Sequence, residues 1–326
     1  MKHAVTELVT NALRPLCWWV LLMCFCLNPQ ALNAEIQPAK LSIAVLFPRL
    51  QAPYDQIFKS IIEGVGAAHQ GPLTRVELTD SMSAEELRKA VQAQADAVIA
   101  LGNRSVEMLL QIQPNPDRVM AGAVLMEQQD DRQLNAISIA PDPELLFRHL
   151  LQLAPSVKTI HVIHQKGQDR QVLAEAETAA RLLNVKLQST ATESLQELAD
   201  TYRKLLKQQN PRTEALWIPH TGTSLDQAIM SRVLRDAWNR SLIVFSSNLA
   251  DVRKGALFSL YPDNHAMGRS LITSLYKHLE KPDVGRTVDL CRDLHAAINT
   301  RTASHLGIHL SPSELSSYRL IYPEGR

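Results

Sequence analysis

The chain has 326 residues, of which 45% are apolar and 21% charged, and its net charge is +1. These values are typical of a soluble globular protein of about two domains. The near-neutral charge and the 5% aromatic content exclude the usual signs of nucleic-acid binding, a basic surface or a set of stacking rings.

Residues 1–34 have the three-part pattern of a secretory signal peptide. A polar lead-in with Lys2 and Arg14 precedes an uncharged apolar run, Leu16–Leu27, which is too short to span a bilayer as a helix. Small and polar residues follow and end at Ala34. We expect the mature chain to begin near Glu35 and to reside in the periplasm, with an uncleaved amino-terminal anchor as the alternative.

The cysteines exclude two further features. Met23 and Phe25 precede Cys24 and Cys26, whereas lipid modification requires a small residue before the cysteine, so no lipid anchor is expected. Beyond the leader only Cys291 remains, which leaves no internal disulfide. We expect Cys291 to be a buried, small apolar residue rather than a reactive thiol.

After Ala34, short β-branched runs alternate with longer amphipathic stretches, the pattern of parallel sheets flanked by helices. The predicted strands are Leu41–Phe47, Ala97–Leu101, Val119–Val124, Thr159–Ile163, Ala215–Ile218, Leu242–Phe245 and Ala256–Leu260. The predicted helices are Tyr54–His69, Ala84–Ala95, Ser105–Gln113, Glu144–Leu153, Gln171–Leu183, Leu195–Lys207 and Leu225–Trp238.

Helix starts carry recognisable caps. Ser83 and Glu86 form a capping-box pattern, and Asp142 precedes Pro143 at a first helical position. The first βα set runs from Glu35 to about Ile139, and the second opens at Asp142 without a flexible linker.

Ligands of parallel α/β sheets bind at the carboxyl ends of strands, so the polar residues at these ends are the candidate binding residues. They are Arg49, Gln51, Asn103, Arg104, Ser105, Gln165, His220, Thr221, Ser247 and Asp263. Arg104 or the helix amides near Ser105 would hold a carboxylate, and His220 would either bind or pack as a neutral lid residue. At any single strand end, helix capping and turn formation explain these residue types better than ligand binding does. The convergence of six such strand ends is the stronger argument for a binding site.

Signatures of catalysis do not occur in the sequence: it contains no GxSxG, no P-loop and no GxGxxG motif. His161 and His164 lie three apart on a predicted strand and point to opposite faces, and Gly307 separates His305 from His309. We therefore predict no metal, no cofactor and no enzymatic activity.

One segment, Ser246–Arg269, resembles the ABC-transporter substrate-binding family that includes tryptophan/tyrosine binders, and it contains the family's pattern Val-Arg-Lys-Gly-Ala-Leu at Val252–Leu257. The resemblance spans essentially the whole mature chain and is more specific in its second half. Further similar segments are Asp96–Gly102, Leu151–Ile160, Ala215–Pro219 and residues 298–307.

This resemblance implies the type I periplasmic-binding-protein fold, in which two Rossmann-like α/β lobes are joined by three crossovers. The lobes would be 35–141 plus 262–284 and 142–261 plus 285–326. The implied protein is a monomer that closes on a small solute, such as an amino acid or related anion, and delivers it to an ABC permease in the inner membrane.

Two segments depart from the family where solute would bind. Leu125–Gln129 replaces a turn that often carries an acidic residue, and Pro219–Thr221 replaces a Pro-x-Asp turn. The identity of the solute is therefore not carried over. An alternative is a sensory or accessory protein that presents a ligand-dependent surface to a receptor kinase, whereas a cytoplasmic repressor would need a helix-turn-helix where the leader stands.

Overall fold

The computed structural model describes residues 41–52, 54–92, 95–125, 134–219, 227–281 and 285–324. The predicted signal peptide lies outside these ranges and stays a prediction. No helix of the described residues combines the length and apolar character needed to cross a bilayer.

The first sheet has six strands in the part of the chain that the structure describes, ordered β11-β5-β4-β3-β1-β2, and every pair in it is parallel. These strands, numbered in chain order, are β1 (Ile43–Pro48), β2 (Leu73–Leu78), β3 (Ala97–Leu101), β4 (Val119–Val124), β5 (Asn135–Pro141) and β11 (Val288–Cys291). The helices of this lobe are α1 (Asp55–Ala68), α2 (Ala84–Gln92), α3 (Asn103–Gln111) and α9 (Asn264–Glu280).

Alternation along β1 explains why both faces of the first sheet are covered. Ile43 and Val45 pack in a core with α1 and α9, whereas Ala44 and Leu46 pack in a second core with α2 and α3. A strand buried on both faces reads as a continuous apolar run, which is why the sequence pattern identified it.

The second sheet has seven strands within the described residues, ordered β13-β12-β10-β9-β8-β6-β7. They are β6 (Thr159–Gln165), β7 (Lys186–Thr192), β8 (Glu214–Ile218), β9 (Ile243–Ser246), β10 (Phe258–Pro262), β12 (Leu294–Asn299) and β13 (Leu320–Tyr322). The helices are α4 (Pro143–Leu153), α5 (Arg170–Leu182), α6 (Leu195–Gln208), α7 (Gln227–Trp238), α8 (Leu249–Lys254), α10 (Thr300–His305) and α11 (Pro312–Leu315).

The second sheet is not wholly parallel, because β12 pairs antiparallel with β10. Its two faces again carry separate cores: Trp217 packs with α4 and α5, and its neighbour Leu216 packs with α6 and α7. All seven predicted strands are present, and both predicted caps are confirmed: Ser83 and Glu86 bond reciprocally, and Asp142 Oδ1 accepts from the Glu144 amide.

The edge strands β2 and β7 were missed by the sequence patterns. Their polar sequences, LTRVEL and KLQSTAT, leave much of each strand exposed, and neither contains a continuous apolar run. Strands β5, β11, β12 and β13 were also missed. The four-residue strand β11 lies in the first sheet, whereas the predicted boundary had placed residues 285–326 in the second lobe.

Helices α1 and α9 approach each other at their backbones. A Cβ atom added at Gly64 would lie 1.9 Å from the carbonyl oxygen of His265, and one added at Gly268 would lie 2.1 Å from that of Ile61. Two glycines facing each other thus allow α9, which follows the second lobe in the chain, to pack directly on the first lobe.

Candidate functional site

Three connections join the two lobes, and each of them begins at the carboxyl end of a strand. They follow Pro141 at the end of β5, Pro262 at the end of β10 and Cys291 at the end of β11. Because all three start at these ends, the carboxyl edges of the two sheets face each other across the connections. Ligands of parallel α/β sheets bind at such strand ends, so the region between the two edges, called the cleft below, is the candidate site.

Backbone hydrogen bonds tie the three connections into one hinge. The Asp142 amide donates to the Cys291 carbonyl at 2.9 Å, and the Asp263 amide donates to the Asp293 carbonyl at 2.8 Å. Ser270 Oγ donates to the Asp293 carboxylate at 2.6 Å, and Arg292 pairs with Asp142. The connections therefore act together, which suits a hinge that lets two rigid lobes rotate.

Asp263, a predicted binding residue, lies in this hinge. Its Oδ1 accepts from the Ala266 amide at 2.9 Å as the N-cap of α9, and its Oδ2 lies 3.4 Å from His295 Nε2. Both carboxylate oxygens thus have structural partners within the hinge.

On the first lobe, the start of α3 brings three predicted residues together. Gly102 precedes the helix with a φ of 79°, and Asn103 Oδ1 accepts from the Leu125 amide at 3.3 Å. Ser105 is fully buried, and its Oγ has no hydrogen-bond partner among the described residues. The Ser105 amide already donates to the Gly102 carbonyl at 3.1 Å, whereas the two amides before it, of Asn103 and Arg104, precede the first hydrogen bond of the helix. This helix start, together with the Ser105 hydroxyl, suits an anionic group.

Both predicted cations on the first lobe are already paired. Arg49 binds Glu77 Oε2 at 2.7 Å, and Arg104 binds Asp80 Oδ1 at 2.7 Å. The Arg49 guanidinium lowers the pKa of the Glu77 carboxyl below its ordinary value, chiefly through the hydrogen bond. An anionic solute would have to compete with these carboxylates for either guanidinium.

The turn between β1 and α1 exposes several apolar side chains around Gln51. Gln51 is exposed, and its carbonyl accepts from the Tyr54 amide at 3.1 Å in the turn before α1. Tyr54 is 65% exposed, and Leu50 and Ile57 are also exposed. Leu50, Tyr54 and Ile57 were not among the predicted binding residues, because only polar residues at strand ends were candidates. Their presence close to Gln51 in the sequence is the pattern that could have indicated them.

On the second lobe, Ser247 follows β9 and is 5% exposed. Its Oγ accepts a hydrogen bond from Trp217 Nε1 at 3.0 Å, which leaves the serine hydroxyl hydrogen for another acceptor. The preceding residue, Ser246, donates to Asp251 Oδ2 at 2.8 Å within the protein interior. Of the two serines that end this strand, Ser247 therefore keeps the capacity to bind a ligand.

Gln165 ends β6 and is half-buried, and its carbonyl accepts from His164 Nδ1 at 3.0 Å and from the Gln168 amide at 3.2 Å. His220 and Thr221 lie outside the described residues, as does most of the departing segment Leu125–Gln129. The site predictions for these residues stay predictions.

Within the described residues, no group of three or more His, Cys, Asp or Glu side chains has the arrangement of a metal site. Cys291 is buried and unpaired, as expected, and burial raises the pKa of its thiol to about 12. His161 binds Glu214 at 2.9 Å beside the amino ends of their strands, away from the cleft edge.

A comparison of the sequence with protein-family models finds no match, and a comparison with curated proteins finds none either. Solved structures do match in fold. An ABC domain in complex with L-Trp from Streptococcus pneumonia has 18% identity and a TM-score of 0.52, covering 86% of this chain and 99% of its own. A ligand-free, open substrate-binding protein with adhesive properties from Clostridium difficile has 14% identity and a TM-score of 0.61, covering 87% and 100%. A chain of a XylFII–LytSN complex has 14% identity and a TM-score of 0.53, covering 78% and 96%.

The two lobes, the three-stranded connection and the facing carboxyl edges define a two-lobed α/β binding-protein fold. The chain has the type I periplasmic-binding-protein fold, so the expected fold class is confirmed. Identities of 14–18% establish a shared fold and do not carry over a solute from these neighbours.

Proposed function

We propose that the protein is an exported solute-binding component of an ABC-type importer and that it closes its two lobes on a small amphipathic anion. One observation carries the proposal: the carboxyl edges of both sheets face each other across a hydrogen-bonded hinge, with the start of α3 on one side and Ser247 on the other. This arrangement supports binding by enclosure of a solute between the two edges.

The chemistry of the two sides supports an anion with an apolar body. The unpartnered Ser105 Oγ and the first-turn amides of α3 suit a carboxylate, and Tyr54 with Leu50 and Ile57 offers an apolar surface beside it. The L-Trp in the streptococcal structure is a zwitterion that combines a carboxylate with an apolar body. Periplasmic location follows from the leader at residues 1–34 and is part of the proposal.

The direct test is closure. Small-angle scattering and thermal unfolding are measured with L-tryptophan, L-tyrosine and L-phenylalanine, and with tryptamine and tyramine, which lack the carboxylate. We expect the amino acids, and not the amines, to decrease the radius of gyration and to raise the Tm. Unchanged scattering and unchanged Tm across the panel would contradict the proposal.

Two variants locate the carboxylate. Ser105→Ala removes a buried, unpaired hydroxyl, so the free protein should be no less stable, while affinity for the ligand found in the panel should fall about fivefold. Arg104→Ala should lower affinity more than about tenfold if its guanidinium leaves Asp80 for the ligand. Arg88→Ala removes an exposed arginine that pairs with Glu85 on α2 and serves as the control.

A sensory role is the second candidate, and the XylFII–LytSN neighbour favours it, because a chain of that complex shares this fold. The ligand-closed lobes would then present a surface to a receptor kinase instead of a permease. Permease and ATPase genes beside this gene would support import, whereas an adjacent sensor-kinase gene would support signalling.

A further inference from the structure

A cavity of about 850 Å³ lies on the second lobe, at the edge of the sheet away from the cleft. Its walls are the end of α7 at Trp238, the end of α8 at Gly255, the end of β12 at Asn299 and the segment after β13. These elements end beside the amino ends of the parallel strands, whereas the cleft lies at their carboxyl ends. The cavity is therefore separated from the cleft by the length of the strands. The Arg-Lys-Gly portion of the segment Val252–Leu257 lines this cavity and lies away from the cleft.

Four cationic side chains line the cavity with one lining carboxylate, and one of the four, Lys254, also lies 3.6 Å from Asp251 Oδ1. Arg235, Arg253, Lys254 and Arg301 come from three helices, and Glu324 is the acidic residue among the lining side chains. Glu324 lies 3.8 Å from Arg253 in an exposed pair. Among the described residues, no carboxylate oxygen lies within 4.0 Å of the guanidinium of Arg235 or Arg301. The result is a concave surface of positive potential that attracts anions.

Helix stability explains only part of this charge. Arg235 and Lys254 lie in the last turns of their helices, where a cation interacts favourably with the helix dipole. Arg301 lies in the first turn of α10, where the dipole disfavours a cation, and its neighbours around the cavity are also positive. The helix dipole therefore does not account for Arg301, which has no carboxylate partner among the described residues.

Aromatic rings hold two of the guanidinium groups. Arg301 Cζ lies 5.3 Å from the centroid of the Trp238 ring, and Arg253 Cζ lies 5.6 Å from that of Tyr322. The Trp238 ring is itself fixed by stacking on His305, with centroids 3.8 Å apart and planes 8° apart. Guanidinium groups placed over fixed rings lose less side-chain entropy when they bind an oxyanion.

We propose that this cavity is a second binding site, separate from the cleft, for a small molecule that carries a multivalent oxyanion such as a pyrophosphate or a polycarboxylate. Arginines recognise such oxyanions through paired N–H donors, and three of the four cations are arginines. The cavity volume lies within the usual range for ligand pockets, about 300–1,000 Å³. The half-buried Trp238 lines the cavity and provides contact for an organic portion of the ligand.

The test uses the purified protein, calorimetric titration and tryptophan fluorescence, measured in the variant Trp217→Phe beside the unmodified protein. The probes are sodium pyrophosphate and trisodium citrate, each compared with sodium chloride at the same ionic strength. We expect saturable binding of at least one probe with a Kd below about 1 mM and no saturable effect of chloride. Binding of pyrophosphate alone identifies a phosphate site, and binding of citrate alone identifies a carboxylate site.

Matched variants separate the cavity from general charge. Arg235→Gln and Arg301→Gln should each weaken binding about tenfold, whereas Arg232→Gln, on the same helix α7 but outside the cavity lining, should change it less than about twofold. An equal loss in Arg232→Gln, or no saturable binding by either probe, would overturn the proposal. Binding only to vesicles of phosphatidylglycerol would also overturn it, because the surface would then contact a membrane rather than a small molecule.

Discussion

Trp217 Nε1 donates a hydrogen bond to Ser247 Oγ at 3.0 Å, and this bond joins the core of the second lobe to the edge of the cleft. Trp217 is fully buried, and its indole meets the ring of Phe147 edge-on at 5.4 Å. The serine hydroxyl is thus oriented from inside the protein, and its remaining hydrogen is available to a solute.

Replacing Ser247 by Ala should lower the free energy of unfolding by about 1–3 kcal/mol, because the indole N–H of Trp217 would be left buried without an acceptor. Urea unfolding measures the change, and Ser304→Ala, at an exposed position of α10, is the control. The double variant Trp217→Phe with Ser247→Ala should cost less than the sum of the single variants. Strict additivity would show that the bond contributes nothing to stability.

Gly268→Ala should destabilise the protein by about 2–4 kcal/mol, because its Cβ would lie 2.1 Å from the Ile61 carbonyl oxygen and would force α9 away from α1. Thermal unfolding measures the change. Gly285→Ala is the control, since a Cβ there meets no atom within 4 Å. Equal Tm values for the two variants would contradict the close helix packing.

Stability should fall as the pH drops from about 6.5 to about 4. Burial lowers the pKa of His149 to about 4, whereas a histidine in the unfolded chain has a pKa of about 6.5. Between these two pH values the unfolded chain is protonated at this residue and the folded protein is not, so protonation favours unfolding. Above pH 6.5 His149 is neutral in both states and the free energy of unfolding is unaffected by it. Below pH 6.5 the free energy of unfolding decreases, by up to about 3 kcal/mol at pH 4.

The measurement is the free energy of unfolding at pH 7 and at pH 4, by urea. His149→Gln does not titrate, so its loss between the two pH values should be smaller than that of the unmodified protein by about 3 kcal/mol. The same variant also loses the 2.9 Å hydrogen bond to Tyr318, which lowers stability at both pH values alike. His309→Gln, at an exposed position, should retain the full pH dependence.

The Cys291 thiol should not react with a thiol reagent in the folded protein. It is buried in the hinge, its Sγ donates to the Asp293 carbonyl at 3.3 Å, and burial raises its pKa to about 12. A variant with Cys17, Cys24 and Cys26 replaced by Ser isolates the signal. We expect negligible modification at pH 8 in native buffer and one thiol per chain in guanidinium; rapid native reaction would show that the hinge opens.

Much of the α/β architecture could be predicted from apolar runs. A strand such as β3, with every residue buried, is recognisable without tertiary information, and so are caps such as Asp142 before Pro143. Edge strands were missed because only part of each is buried. Strand β11 was not predicted, because its four residues, VDLC, are too few to form a recognisable apolar run, and its pairing with β5 is a long-range contact.

For the candidate site, the positions of the residues could be predicted from the sequence, whereas their hydrogen-bond and ion-pair partners could not. Strand-end positions such as Ser105 and Ser247 follow from local sequence, because parallel strands put their carboxyl ends at one edge. The partners of these side chains depend on distant parts of the chain. Arg49 binds Glu77, 28 residues away, and Arg104 binds Asp80, so neither guanidinium is unpaired as the sequence implied.

The sequence by itself determined the alternation of strands and helices, the leader pattern, the positions where strands end and the solitary Cys291, because each of these depends on neighbouring residues or on composition. Only the tertiary structure decided that Asp263 belongs to a hinge, that Ser105 Oγ has no partner and that four cations from three helices surround one cavity. Those facts depend on contacts between segments far apart in the chain, and such contacts cannot be predicted from local periodicity.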